Sequence, residues 1–266
     1  MKSPLFSIIT ISFNSSETIE RTLKSVLAQT CKDYEYIIVD GASKDETLDI
    51  VKRYEPLFEG RLKCKSEPDT GIYNAMNKGI QRASGKIVGI VNSDDWLDPD
   101  ALTVLEGVLK EDSENYEKIL TGEVLFHYQD GTTQHFPTSR ERYEHFSKQY
   151  RMGLNHPATF VPKSIYDKIG LFDERFKLYA DSDFILKCYE NRVGIVFINR
   201  VLSNMSDGGA SNNRSKTMLD DAILKVRLHA KSTKDLWWGI AQCYIRWYIK
   251  GIIPEWYKRR YRVKNN

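Results

Sequence analysis

The chain has 266 residues, enough for one large α/β domain or one domain with an appendage, and its 41% apolar and 28% charged content is ordinary for a globular protein. Cys31, Cys64, Cys188 and Cys243 share no CxxC spacing, which argues against a zinc site or disulfide framework and for a reducing, cytosolic setting. The net charge of +3 conceals a division: residues 223–266 hold 11 Lys/Arg against 2 Asp/Glu, whereas residues 1–222 hold 28 against 34. A basic tail on an acidic body is expected to meet an anionic surface, and the acidic body opposes nucleic acid as that surface.

Met1-Lys-Ser-Pro leads into a first strand over residues 5–13 without a leader-like apolar stretch. Asn14, Ser15 and Ser16 break that strand and cap a helix whose apolar stripe is Ile19, Leu23, Val26 and Leu27. Residues 34–40 form a second strand ending in Asp40, and Ser43 with Glu46 fits a capping box for the next helix. An edge strand is expected at 61–66, and after the Asp69-Thr-Gly71 turn a helix runs over 72–80. Residues 87–91 read as a buried strand, and Pro99 opens a helix over 100–109. This alternation implies a parallel sheet with crossover helices.

Beyond residue 110 the pattern changes. Two strands, 119–128 and 132–136, flank an Asp130-Gly131 hairpin signal. Residues 140–155 suggest a loop with a short helix, 155–161 a strand, and Ser164 a cap for a helix to Ile169. A further helix over 178–190 presents Phe184, Ile185, Cys188 and Tyr189 inward.

The chemistry-bearing stretch is Asn92-Ser-Asp-Asp95, at the carboxyl end of the central strand 87–91. Open α/β sheets bind ligands at that edge. Adjacent carboxylates there repel and lose hydration, so they need a cation or several donors. A hard divalent cation bridging to a diphosphate would use the arrangement, while a plain helix cap and turn is the alternative. Asp40 shares the same edge if its strand is parallel. No GxGxxG is present, so a dinucleotide oxidoreductase lacks its main support. Asp181 and Asp183, two apart on a helix, point about 200° apart and are no dyad. Asp181, entering from the loop, is assigned to the cleft, and Asp183 to the helix N-terminus. His156 before Pro157 lies in a loop that borders an acceptor, or is a structural hydrogen-bonder. Ser206-Asp-Gly-Gly-Ala-Ser211 is a nest-forming segment that folds over a diphosphate or serves as a linker.

Four blocks stand in order: Ser7-Ile-Ile-Thr-Ile-Ser-Phe-Asn14, Tyr36-Ile-Ile-Val-Asp-Gly-Ala-Ser-Lys-Asp-Glu-Thr47, Asp69-Thr-Gly-Ile-Tyr-Asn-Ala-Met-Asn-Lys-Gly79 and Asn92-Ser-Asp-Asp95. With the helix at 181 they resemble, over residues 5–205, family 2 glycosyltransferases of the bacterial capsule, O-antigen and exopolysaccharide kind. The resemblance implies an α/β GT-A fold, a mostly parallel nucleotide-binding sheet with flanking helices. It gives a catalytic domain over 1–210 and a helical extension over 211–266. It implies inverting transfer of a sugar from a nucleotide-diphosphate donor, UDP-linked, to a hydroxyl of a glycan or polyprenyl-linked acceptor. A non-catalytic nucleotide-sugar-binding or scaffolding protein on the same fold is the alternative.

Residue by residue, the resemblance makes Asp40 the acceptor of the base imide N–H. Thr10, Asp69, Asn77, Lys78, Asn92, Ser93 and Asp95 join it around the donor. Asn92 and Asp94 align with the ends of an Asp-x-Asp motif, so Asp94 would ligate Mn²⁺ or Mg²⁺, and Asp181 would be the general base. His156 and Asp183 are candidate acceptor contacts. Three positions depart from the pattern: Asn92 for aspartate, Ala180 for glutamate, and Met76 for arginine, with Lys78 expected to supply the lost diphosphate contact.

The tail is apolar and aromatic over 236–257, then basic over 258–264. Arg246 and Lys250 interrupt the apolar run and argue against a membrane-spanning helix. Trp and Tyr with Lys/Arg suit a lipid headgroup layer, which implies a peripheral position on the cytoplasmic face of the plasma membrane. Packing on the body or in a homo-oligomer is the other reading.

Overall fold

The computed structural model describes residues 3–207, 215–252 and 263–264. Its first half is the expected alternation: β1 (Phe6–Ser12), α1 (Ile19–Leu27), β2 (Tyr34–Asp40), α2 (Thr47–Tyr54), β3 (Leu62–Ser66), α3 (Ile72–Arg82) and β4 (Ile87–Ile90). The four strands are parallel in the order β3-β2-β1-β4. Nearly every residue of β1 and β2 is buried, because helices cover both faces and no alternation with solvent is needed. α3 packs closely on β1. A Cβ at Gly79 would stand 2.5 Å from Ile9 Cγ2, so only glycine permits that approach. The register pairs Ser12 with Asp40 and Ile9 with Ile90, so the segments after β1 and β4 emerge side by side. The strand order reverses between these two, which is where open sheets bind ligands.

The chain continues through β5 (Trp96–Leu97), α4 (Ala101–Glu111), β6 (Ile119–His127), β7 (Thr132–Phe136), α5 (Arg140–Ser147), β8 (Thr159–Pro162), α6 (Lys163–Ile169), α7 (Ala180–Glu190) and β9 (Ile195–Ser206). β8 joins β4 to β6 in antiparallel fashion, and β6 and β7 form the hairpin, with Gly131 at φ 79° in the turn. The sequence reading does not contain β9. Its pattern is broken by bulges where it pairs with β6, and it also pairs with β5. This strand carries Met205 and Ser206 to the sheet edge.

Three expected caps are corrected. Ser43 donates to Asp40 instead, and α2 starts at Thr47 without a side-chain cap. Ser164 is already inside α6, whose cap residue is Pro162. Asn14 sits at φ 48° and α1 starts only at Ile19, after Thr18.

The C-terminal region is α8 (Lys216–His229) and α9 (Thr233–Ile252), followed by β10 (Val263–Lys264), which pairs with β7. α8 is tied to the body by polar contacts. Asp221 Oδ2 accepts from the backbone N–H groups of Lys177, Leu178 and Tyr179 at 2.9, 2.6 and 3.1 Å, and His229 Nε2 meets Asp183 at 2.8 Å. Among the described residues no helix is long and apolar enough to cross a membrane. The segment 208–214, holding most of the expected nest and the expected domain boundary, lies outside the described residues, as does most of the basic run 258–264.

Candidate active site

A cavity of about 610 Å³ opens where β1 and β4 end. Its walls are the segment from Ile11 to Thr18, the start of α3, the turn Asn92–Asp95, His156, the first turn of α7 at Asp181, and Met205–Ser206. Seven sequence-predicted residues are brought together here: Asp69, Asn92, Ser93, Asp94, Asp95, His156 and Asp181.

The Asn92–Asp95 turn is held by groups outside it. Thr22 Oγ1 donates to the carbonyls of Ser93 and Asp95 at 3.0 and 2.7 Å. Arg21 and Ser206 Oγ donate to the Asp94 carbonyl at 2.6 and 2.7 Å. The Arg21 guanidinium also stacks 3.9 Å over the Trp96 ring. Asp95 is 2% exposed, and its oxygens accept from Ser206 N–H and Asn92 Nδ2, both at 3.3 Å. Burial, then the neighbouring Asp94 charge, pushes the Asp95 carboxyl up to about 7. Burial likewise raises Asp94, with Arg21 opposing. Asn92 Oδ1 is buried without a hydrogen-bond partner among the described residues.

Asn92, with its orphaned amide oxygen, and Asp94 both line this cavity, and hard oxygen donors of that kind fit Mn²⁺ or Mg²⁺. No group of three or more His, Cys, Asp or Glu that could hold a metal exists among the described residues. A cation here would therefore complete its shell with water and ligand phosphate.

Across the cavity, Asp181 Oδ1 accepts from Tyr73 OH at 3.0 Å and from Ser182 N–H at 2.8 Å. Asp183 is corrected as an acceptor contact. It is fully buried, paired with Lys187 at 2.7 Å and His229 at 2.8 Å, and touches no part of the cavity. Burial raises its carboxyl, but those two partners outweigh burial and hold it low. His156 lines the cavity against Phe172, with ring centroids 6.1 Å apart, and burial holds its imidazole below the usual histidine range.

Four residues expected around the donor do not line the cavity. Thr10 is fully buried, donates to the Val91 carbonyl at 2.8 Å and accepts from Tyr36 OH at 2.9 Å. Asn77 closes two hydrogen bonds with the Phe172 backbone and one with Glu174, pinning the loop before α7. Lys78 donates to the Pro68 carbonyl at 2.8 Å and pairs with Glu67 at 3.4 Å, so it does not replace the arginine absent at Met76. Asp40 is fully buried, and its carboxylate already accepts from Ser12, Ser66 and, twice, Ser43. It organises the loop after β2, where Asp69 lies so close that a Cβ at Gly41 would meet its Oδ2 at 2.6 Å.

Sequence reasoning missed Tyr73, Arg21, Phe13 and Met205, whereas Ser206, the first residue of the expected nest, does line the cavity. The one available signal was Phe13, a large aromatic following a strand just where polar loop residues begin; it is 63% exposed at the cavity lip.

This mixed α/β sheet, with the Asn92–Asp95 turn at its switch point, has the fold of the GT-A glycosyltransferases, as its match to S. aureus TarS at TM-score 0.64 shows. The chain belongs to glycosyl transferase family 2, whose family model matches residues 7–170. It is similar to a PGL/p-HBAD biosynthesis glycosyltransferase of Mycobacterium bovis, 29% identical over 230 residues that cover 85% of this chain and 84% of that one. Among solved structures it resembles S. aureus TarS 1-349 in complex with UDP-GlcNAc, with TM-score 0.64, 18% identity, and coverage of 90% and 71%. It also resembles the mannosyltransferase PcManGT of Pyrobaculum calidifontis in complex with GDP-Man and Mn²⁺, with TM-score 0.61, 16% identity, and coverage of 92% and 74%. At these identities the structural likenesses establish the fold.

Proposed function

We propose that this glycosyltransferase moves a sugar, with inversion, from a UDP-linked donor to a hydroxyl of a lipid-linked or oligosaccharide acceptor in surface polysaccharide or glycolipid synthesis. The observation that carries the reading is one cavity lined by Asn92, with its unpartnered amide oxygen, by Asp94 and by Asp181. Mn²⁺ or Mg²⁺, when bound, would neutralise the charge of the leaving diphosphate. Asn92 and Asp94 would hold it, and Ser93 and Asp69 line the donor side. Phe13 offers a ring face to the base at the lip.

Asp181 takes the proton of the acceptor hydroxyl as that oxygen bonds to the anomeric carbon and the bond to the diphosphate breaks on the opposite face. Tyr73 OH and Ser182 N–H hold the carboxylate in one orientation for this, and His156 borders the acceptor. The TarS complex holds UDP-GlcNAc and the PcManGT complex GDP-Man with Mn²⁺, which supports a nucleotide-sugar donor and a divalent ion here. We take residues 1–210 as the catalytic unit and 211–266 as an extension that sits at the cytoplasmic membrane face. The exposed α9 side chains Trp237, Trp238, Tyr244, Ile245, Tyr248 and Ile252 support that position.

A thermal-shift panel of nucleotide sugars with and without Mn²⁺ tests the donor reading. A true donor at 100 times its Kd adds about 2.7 kcal/mol of stability. Asp94→Asn removes the metal-dependent part of that gain and leaves the unliganded melting point in place. A metal-dependent shift that survives Asp94→Asn refutes the metal assignment.

A further inference from the structure

A second cavity, about 380 Å³, lies between α7 and the pair α8–α9 and shares Asp181 and Leu178 with the first as walls. That volume is in the range of small-molecule sites. Its lining is unlike that of the first cavity: Arg151, Lys225 and Arg246 supply three cations, Tyr179 and Trp247 supply aromatic rings, and Asp181 is the one carboxylate.

The cations are poorly compensated from within. Lys225 is 3% exposed, yet its ammonium, with three N–H donors, makes one hydrogen bond among the described residues, to Ser182 Oγ at 2.5 Å, and lies 5.0 Å from the Tyr179 ring centre. Asp181, Asp183 and, one turn away on α8, Asp221 attract it, but among the described residues none of the three forms an ion pair with it. Burial pushes it down to about 8. Arg246 reaches Gln242 at 2.8 Å and the Cys243 sulfur at 3.8 Å, and Arg151 stacks 4.2 Å from the Phe146 ring centre. Arg151 and Arg246 repel each other. A buried ammonium beside two arginines, facing a cavity, is costly unless an anion enters. Ser182 links this charge to the site: its Oγ accepts from Lys225 while its N–H donates to Asp181.

Building on the glycosyltransferase reading, we propose that this cavity is the acceptor subsite and that it selects a sugar bearing an anionic group, a phosphate or a carboxylate. Arg151, Lys225 and Arg246 hold the anion, the Tyr179 and Trp247 rings border the pyranose, and its free hydroxyl is presented to Asp181. The cavity thus spends two of the C-terminal cations, Lys225 and Arg246, on substrate selection.

The test uses the full chain saturated with UDP and Mn²⁺, and three probes: glucose 1-phosphate, glucuronate and glucose, followed by calorimetry and ligand-observed NMR. At least one charged probe is expected to bind tenfold or more tighter than glucose, and the winner distinguishes phosphate from carboxylate. Arg151→Gln with Arg246→Gln is expected to weaken that probe by about tenfold, as loss of charge-assisted hydrogen bonds does, while the melting point and UDP affinity hold. Equal binding of all three probes, or full retention of the charged probe by the double variant, overturns the inference. UDP affinity in the same samples reports the first cavity. A chain that binds UDP yet shows no anion preference defeats this inference alone, whereas a chain that binds no UDP defeats the donor reading and the acceptor role with it.

Discussion

Asp181 and Asp183 stand two residues apart on α7, and the helix turns one into the cavity and the other into the contact with α8. That division was legible in the sequence because helical geometry alone separates i and i+2. The roles of Thr10, Asn77 and Lys78 were not legible. Whether such a residue faces a ligand or a backbone group depends on partners distant in the chain, here Val91, Phe172 and Pro68. Tyr73 was hidden for the same reason, since it lies 108 positions from its partner Asp181. It acts through Asp181 and is a positioning residue. Tyr73→Phe should lower kcat by about 5- to 10-fold, the worth of one hydrogen bond, with the donor KM unchanged. Steady-state kinetics at saturating acceptor check this, and an equal loss in donor affinity would show that Tyr73 touches the donor instead.

At the scale of elements, β1, β2 and β4 were legible because their apolar runs are continuous and their turns are marked by Gly, Asn and Asp, while β3, with only Leu62 buried, reads as an edge strand. β9 was not, because bulges against β6 erase its alternation. One carboxylate fastens the first strands to the turn before β4. Glu35 accepts from Ser7 Oγ at 2.7 Å, Ser84 N–H at 2.6 Å and Lys63 Nζ at 2.7 Å. Burial raises its carboxyl, but these donors outweigh burial and bring it down to about 2. A depressed carboxylate contributes stability that is complete above its unfolded value near 4.5 and is lost as pH falls through 2. Glu35→Gln should therefore destabilise the chain at pH 7 and lose most of that effect by pH 2 to 3. Urea melts at several pH values measure it, and a pH-independent difference would contradict the account.

Over the whole molecule, the sequence showed a basic aromatic tail but not its two faces. α9 turns Gly239 and Cys243 inward, with Arg246 and Trp247 at the second cavity, and leaves Trp237 and Trp238 65% and 63% exposed beside Tyr244, Ile245 and Tyr248. Deleting the tail would open the body, so the membrane reading is better tested on the outer face. Trp237→Ser with Trp238→Ser should release the protein from anionic vesicles in sedimentation assays and leave its melting point unchanged. High salt should weaken binding of the intact chain without abolishing it, because each Lys or Arg near such a surface contributes about 1 kcal/mol that salt screens while the rings' share is not ionic. Indifference of the intact protein to anionic vesicles at low salt would remove the membrane role.

One cavity is lined both by the Asn92–Asp95 turn and by Asp181, the proposed base. Transfer and nucleotide affinity measured together for Asp181→Asn and Asp183→Asn test it most directly. Asp181→Asn should keep nucleotide and metal affinity and lose about 10² to 10⁴ in transfer rate, as removal of a general base does. Asp183→Asn should reduce stability with transfer by the folded fraction largely retained. Near-normal transfer by Asp181→Asn would contradict the account.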